Sequence, residues 1–549
     1  MKMAWGGLLI GMSALPAVAM NCESSSRQGE LQGKFDASGE VCFDLPTLGE
    51  NYVSATISGV TDARLLDENN RRLRTLLAGG PPDGEQTLLF SLPVNRASAL
   101  VLHGEEGARW RFRWRMKETT ALAKTQALDP VSPRLQQLMQ ELAAGGSTAR
   151  FWQEREQEGT PMVEPVDAGH QRVTFLWRGA RKNVFLLGSP AGDHDPLFRL
   201  GHSDVWFRSY VVPADTLMQY KLAPDVPQVD GVGHEQRRAI LVSAQADPLN
   251  PHSVNRASDR WNRYSLLALN PARYCTPQRM AQPLRYGTLT RHQLRSDFLH
   301  NTREVMIYRP RLPQPARWTL MLFDGKTYQD EYRFANVLDS LIASHALPPI
   351  NVVFIDSLDH SRRAKELPPN PFFADFMAHE LLPWLRQQGL DAIRQKTVVA
   401  GSSYGGLAAS WVALRYPRLF ANVLSLSGSY WWAPKGEEAG WLTRQYQQSP
   451  RYPLRFWLQA GRFETSGADG GIYSNTLAFE QALRDKGYRV SFHPSSSGHD
   501  YAAWCEALVV GMRDFTGLAL KGKPARQTQR NTTYSTVPSA KNHRQKSRV

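Results

Sequence analysis

Cysteine is scarce. The chain holds four in 549 residues, Cys22, Cys42, Cys275 and Cys505, with no Cys-x-x-Cys pair and no zinc-ligand spacing. That argues against a metal site, and no metal ligand is assigned. Long apolar runs are missing too. Beyond the N-terminal leader no stretch of about 18 consecutive apolar residues occurs, so no membrane span is expected in the mature chain. Acidic residues are outnumbered, 51 Asp and Glu against 65 Lys and Arg, which leaves a formal net charge of +14. A hydrophobic share of 42% and a charged share of 21% exclude a mostly disordered chain. The length suits roughly three or four domains.

The positive charge is unevenly spread. Residues 521–549 contribute +8 of the +14 and contain no Asp or Glu. They lack apolar periodicity and read as a basic, disordered tail. No zinc-finger spacing, RNA-binding aromatic motif or helix-turn-helix signature accompanies them, so nucleic acid is not the expected partner.

The first residues read as a leader. Lys2 precedes an apolar run over residues 3–15, Pro16 breaks it, and Ala17-Val18-Ala19 fits a signal-peptidase site. Cleavage after Ala19 and export to the periplasm are expected. An oxidising compartment would permit disulfides. Four cysteines allow three pairings. Cys22 with Cys42 is the most local, and Cys275 would then pair with Cys505.

Residues 20–125 read as a small all-β module of short strands between turn residues. In it Arg109, Arg111, Arg113 and Arg115 alternate with Trp110, Phe112 and Trp114, which puts basic and aromatic side chains on opposite faces. Residues 126–160 read as a helical linker broken at Gly145-Gly146. Residues 161–280 read as a β-sandwich in which VTFLWRG, NVFLLGS, DVWFRSYVVP, MQYKLAP and RAILVSA are strands. GDHDP at 192–196 reads as a turn. From 285 to 520 short apolar runs alternate with helical stretches, the pattern of an α/β domain with a mainly parallel sheet.

That last region carries the chemistry. Gly401-Ser402-Ser403-Tyr404-Gly405 follows the strand TVVA and precedes a helical stretch, the strand–turn–helix setting of a nucleophile elbow. Ser403 is the expected nucleophile. Its base should follow in the chain, and after Ser403 the domain has only His493 and His499. His493 lies inside a strand-like run, whereas His499 sits in the loop before the last helix, so His499 is the expected base. The acid should follow the preceding strand, RFWLQAGRFE, which points to Glu464, with Asp469, or a dyad without a strong acid, as the alternatives. Asp500 reads as a loop hydrogen-bond acceptor. The oxyanion hole needs two donors. The Tyr404 N–H is one, and Gly325, in Phe323-Asp324-Gly325-Lys326 after an early strand, is the other.

Taken together, Asp324-Gly325, Ile355-Asp356-Ser357-Leu358-Asp359 with Arg363-Ala364-Lys365-Glu366-Leu367, GSSYGG, LSLSGSYWW, AGRFE and GHDYAAW resemble, in this order, the enterochelin (ferric enterobactin) esterase family. GTPMVEP, VTFLWRG, DVWFRSY and DPLNP resemble the N-terminal β-sandwich of its full-length members. The resemblance covers residues 130 to 520. It implies an α/β-hydrolase domain behind that sandwich, hydrolysis of the trilactone ester bonds of a catecholate siderophore, iron-bound or iron-free, and release of its iron. Ser403, Glu464 and His499 fall on the family's catalytic positions. Arg363 falls on a family arginine and is expected to contact catecholate or carbonyl oxygens, the alternative being an ion pair with Glu366. Trp431 and Trp432 follow SGSY, and Trp432 is taken as a wall of the catechol pocket, the alternative being a core role. No cofactor is called for, because any iron arrives chelated by the substrate.

The chain also departs from the family pattern. Ser497 stands where the family has the first glycine of Gly-Gly-His-Asp, and Tyr404 replaces the commoner Met or Phe. A leader and a β-sandwich occur together, with an additional N-terminal module. Other readings use the same residues: another exported carboxylesterase of feruloyl or acetyl type, an acyltransferase, or a non-catalytic binding protein. Without the tail and Lys2 the remaining charge is near +5, which suits an anionic iron chelate better than a duplex.

Overall fold

The computed structural model describes residues 22–518, apart from 46–50, 68, 81–83, 92–97, 119–127, 189, 193, 228–232, 254–258, 271–272, 314 and 468–469. The expected leader (1–19), the basic tail (521–549) and the alternative acid Asp469 lie outside the described residues.

The N-terminal module consists of two facing sheets. Strands Glu23–Ser24, Glu40–Leu45, Ser98–His103, Asp62–Leu66 and Arg72–Leu77 form one, and Gln28–Lys34, Arg109–Glu118, Asn51–Ser58 and Glu85–Ser91 the other. Period-two alternation decides the faces. Trp110, Phe112 and Trp114 are buried with Phe43 and Phe90, while the four intervening arginines are exposed. Arg111 and Arg113 pair with Glu30 and Glu85 at 3.4 and 3.5 Å across the outer face. Cys22 and Cys42 are bonded, which ties the first described residue to this module.

The helical stretch is more than a linker. Helices Pro133–Ala143 and Ala149–Glu158 bury Leu135, Leu138, Phe151 and Trp152 against Leu176 and Phe207 of the following sandwich. Ser132 caps the first by accepting from the Leu135 N–H at 3.3 Å.

The sandwich pairs two four-stranded sheets. One expectation fails there. RAILVSA is the end of a helix, Gly233–Ser243, and not a strand. A short apolar run fits either state by itself. Ala239 and Ile240 are buried against Leu187 and Ala223, whereas Leu241 between Ile240 and Val242 is 48% exposed, a helical distribution.

The catalytic region is an eight-stranded sheet flanked by helices. Gly287–Ser296 and Asn301–Pro310, neither foreseen as strands, form an antiparallel hairpin at one edge. The other six are parallel: Ile350–Ile355, Trp318–Phe323, Thr397–Ser402, Asn422–Leu426, Arg455–Gly461 and Arg489–Ser495. Both faces are covered. In Trp318–Phe323, Leu320 and Leu322 join the core beneath helices Phe334–Ala343 and Tyr501–Thr516, while Met321 and Phe323 join the opposite core under helix Tyr404–Arg415. Burial on both sides explains why these strands read as continuous apolar runs. Cys275 and Cys505 are bonded, so the segment after the sandwich is fastened to helix Tyr501–Thr516.

Candidate active site

Because the strands are parallel, their C-terminal ends lie together, and the expected triad and oxyanion residues follow four of them. Ser403 follows Thr397–Ser402 and opens helix Tyr404–Arg415. Its backbone has φ 58° and ψ −119°, a conformation that L-residues avoid and that a sharp strand-to-helix turn imposes. The turn has no room for larger residues: a Cβ on Gly401 would lie 2.6 Å from the Gly405 carbonyl carbon.

Glu464 follows Arg455–Gly461, and His499 follows Arg489–Ser495. The His499 Nδ1 and Glu464 Oε1 are 2.5 Å apart. Glu464 is 6% exposed. Its other oxygen accepts from the Gly461 N–H at 2.6 Å and the Ser427 hydroxyl at 2.7 Å. Both carboxylate oxygens are therefore occupied, which sets the rotation of the group and so the angle at which it meets the imidazole.

Two serines missed by sequence reasoning join the halves of the site. Ser427 and Ser429 follow strand Asn422–Leu426, inside the SLSGS run. Ser429 Oγ lies 3.4 Å from Ser403 Oγ, and its N–H donates to the Ser403 carbonyl at 3.1 Å. Ser427 bonds Glu464 and accepts from the Trp504 indole at 2.9 Å. That indole meets the His499 ring edge-on at a centroid distance of 4.7 Å. The available signal was a hydroxyl-rich loop directly after the strand adjoining the nucleophile strand.

His493 is elsewhere. Its ring stacks on Trp457 at 4.5 Å, and burial depresses its pKa. Asp500 is the N-cap of helix Tyr501–Thr516, accepting from the Ala503 N–H at 3.0 Å. Burial pushes its pKa up to about 7.

Gly325 follows strand Trp318–Phe323, packed so tightly that a Cβ would come 2.4 Å from the Ile355 nitrogen. Before it stands Asp324, 4% exposed, with φ 54°. The expected Arg363–Glu366 pair does not form. Glu366 turns to the fully buried Arg303 at 2.6 Å and to Asn301 at 2.8 Å. Arg363 instead grips Asp324 with Nε and one terminal nitrogen, and the latter also approaches the Ser402 carbonyl at 3.4 Å. Burial alone pulls the Arg363 pKa down, but the adjoining Asp324 carboxylate reverses this and holds it above its ordinary value.

The tryptophan pair divides. Trp432 is half-buried and packs perpendicular to Trp441 on the core beneath. Trp431 is 41% exposed, with its ring 6.1 Å from that of Tyr404. Of the two, Trp431 is the more exposed, while Trp432, expected as a pocket wall, rests on the core. Among the described residues no cluster of three or more His, Cys, Asp or Glu could hold a metal ion, and no helix is long and apolar enough to cross a membrane.

The chain is similar to known proteins. The model for the N-terminal region of enterochelin esterase matches residues 172–276, and the Esterase family model matches 296–515. An iron(III) enterobactin esterase of Dickeya dadantii is 32% identical over 412 residues, covering 66% of this chain and 92% of that protein. An iron(III) salmochelin esterase of Escherichia coli is 27% identical over 406 residues, covering 68% and 96%. The crystal structure of an enterobactin esterase from Shigella flexneri in the presence of enterobactin aligns with a TM-score of 0.56 at 28% identity, over 67% of this chain and 98% of that one. The module at residues 22–118 lies outside both family models.

Proposed function

The chain belongs to the enterochelin (iron(III) enterobactin) esterase family, a carboxylic ester hydrolase of the serine type, and from that premise we propose that it cleaves the ester bonds of the enterobactin trilactone or of a related catecholate siderophore, so that the chelated iron is released. The observation that carries this reading is the 2.5 Å contact between His499 and Glu464 at the same end of the sheet as the strained Ser403.

In the proposed reaction the Ser403 hydroxyl attacks a seryl ester carbonyl. With Nδ1 committed to Glu464, Nε2 of His499 takes the Ser403 proton. Negative charge develops on the carbonyl oxygen, and the Tyr404 and Gly325 N–H groups receive it. His499 then protonates the departing seryl hydroxyl, and water activated by the same imidazole cleaves the acyl-enzyme. Arg363 acts through Asp324 on the Gly325 loop, and Trp431 offers its face to a catechol ring. Ferric and iron-free forms carry the same ester bonds, so this chemistry applies to either.

Export to the periplasm belongs to the same proposal. The leader motif supports it, as do the two disulfides, which persist in oxidising compartments. Cell fractionation checks it, and recovery of the uncleaved chain in the cytoplasm would sink it.

The deciding experiment incubates the mature protein and Ser403→Ala with iron-free and ferric enterobactin. Chromatography follows the linear trimer, dimer and monomer. Equal background-level products from both proteins would refute the proposal.

A further inference from the structure

We infer that the β-sandwich holds the acid and base of the catalytic site in register, with Gln219 as the positioning residue. The inference rests on the roles proposed for His499 and Glu464.

One strand of the sandwich, Leu217–Pro224, brackets the His499 loop. On one side, the Leu217 N–H donates to the Ser496 carbonyl at 3.1 Å, three residues before His499. On the other, the Gln219 side-chain Oε1 accepts from the Ala502 N–H at 3.1 Å, three residues after it. The first N–H groups of a helix have no partner within the helix. In helix Tyr501–Thr516 Asp500 takes the Ala503 N–H, and a side chain from another domain takes that of Ala502. Gln219 is 5% exposed, and its amide nitrogen donates to the Tyr332 hydroxyl at 2.9 Å, so its orientation is set.

The same domain reaches the Glu464 loop. Phe463 is buried in the core of the sandwich itself, beside Phe175 and Tyr220. Gly192, in the loop after strand Val184–Leu187, has φ 84°, and a Cβ there would come 2.4 Å from the Phe463 carbonyl and 3.2 Å from the Thr465 and Ser466 nitrogens. The Ser466 hydroxyl donates to the Gly192 carbonyl. The interface extends further, with Leu266 of the sandwich buried beside Tyr332 and Phe334, but these contacts fall directly on the residues flanking Glu464 and His499.

Proton transfer within the site depends on sub-ångström placement, and a displacement of about 1 Å costs on the order of 100-fold in rate. The test is Gln219→Met, which keeps length and removes both hydrogen bonds, in the full-length oxidised protein. The expected result is a kcat lower by about 10- to 100-fold with KM within about twofold. The loss should be equal for p-nitrophenyl butyrate and for enterobactin. Labelling of Ser403 by a fluorophosphonate should slow in parallel, and the acid limb of the kcat/KM profile should shift. Tyr332→Phe, which spares the Ala502 bond, should stay within about threefold of wild type.

Gly192→Ala displaces the Glu464 loop independently and should reproduce the loss if Gln219→Met does not fold. Wild-type kcat and pH profile in a folded Gln219→Met, or in a folded Gly192→Ala, would overturn the inference. A loss confined to enterobactin, with p-nitrophenyl butyrate unaffected, would overturn it too, because it would make Gln219 a substrate contact. Failure of the underlying reading looks different: wild type and Ser403→Ala would then be equally active on both esters.

Discussion

The Arg363 guanidinium holds the Asp324 carboxylate in a two-pronged grip, both hydrogen bonds being 2.7 Å long. Asp324 precedes Gly325, and the Ser402 carbonyl that Arg363 also approaches precedes Ser403 and Tyr404. One cation therefore spans the two loops whose N–H groups are proposed to receive the oxyanion. Arg363→Lys keeps the charge but loses the planar fork. Its kcat should fall by about 10- to 100-fold on a neutral ester as well as on ferric enterobactin. The double variant Asp324→Asn/Arg363→Gln should be no slower than the slower single variant, since both changes break one interaction. A large KM increase confined to the anionic substrate would instead make Arg363 a direct ligand.

Glu464 accepts from two donors while meeting His499, so an amide in its place must turn an NH2 group toward a donor. Glu464→Gln should lower kcat on the order of 1,000-fold. Asp469→Asn should stay within about twofold of wild type, because Glu464 already occupies His499 Nδ1. Steady-state kinetics on p-nitrophenyl butyrate compares the two, and a reversed ranking would reassign the acid.

Asp500 gives a pH signature in stability. Burial raises its folded pKa to about 7 from an ordinary 3.8, with repulsion from Glu464 acting in the same direction. Between those values the unfolded chain has released the proton and the folded chain has not, so rising pH destabilises the fold. Asp500→Asn retains an N-cap oxygen without the titration. Its melting temperature relative to wild type should climb from about pH 4 to pH 7 and then level off. A pH-independent difference would show that Asp500 titrates normally.

The two disulfides close loops of unequal length, with sequence separations of 20 and 230. Loop closure in the unfolded chain predicts a larger effect for the longer one. Replacing Cys275 and Cys505 by alanine should cost about 3–5 kcal/mol, and replacing Cys22 and Cys42 about 3 kcal/mol. Denaturant unfolding of the two double variants checks the order.

Much of this protein was legible along the chain, because local chemistry depends on neighbours in sequence. The six parallel strands show as apolar runs, since both faces of their sheet are buried. Ser403 shows through the small residues that its sharp turn requires, and the alternating Arg and Trp of residues 109–115 show which face of that strand is inside. His499 could be ranked above His493, and Glu464 above Asp469, because each closely follows a strand end. Where chain-local reasoning stopped, contacts between distant residues took over. RAILVSA is helical because Leu187 and Ala223 offer a surface to one side of it. Arg363 bonds Asp324 and not Glu366, because a buried Arg303 claims Glu366. Trp431 faces outward because the core takes Trp432. The interlock of Gln219 with Ala502, and of Gly192 with Phe463, has no trace in either segment alone, because each partner becomes meaningful only when two domains bring their backbones within hydrogen-bonding distance.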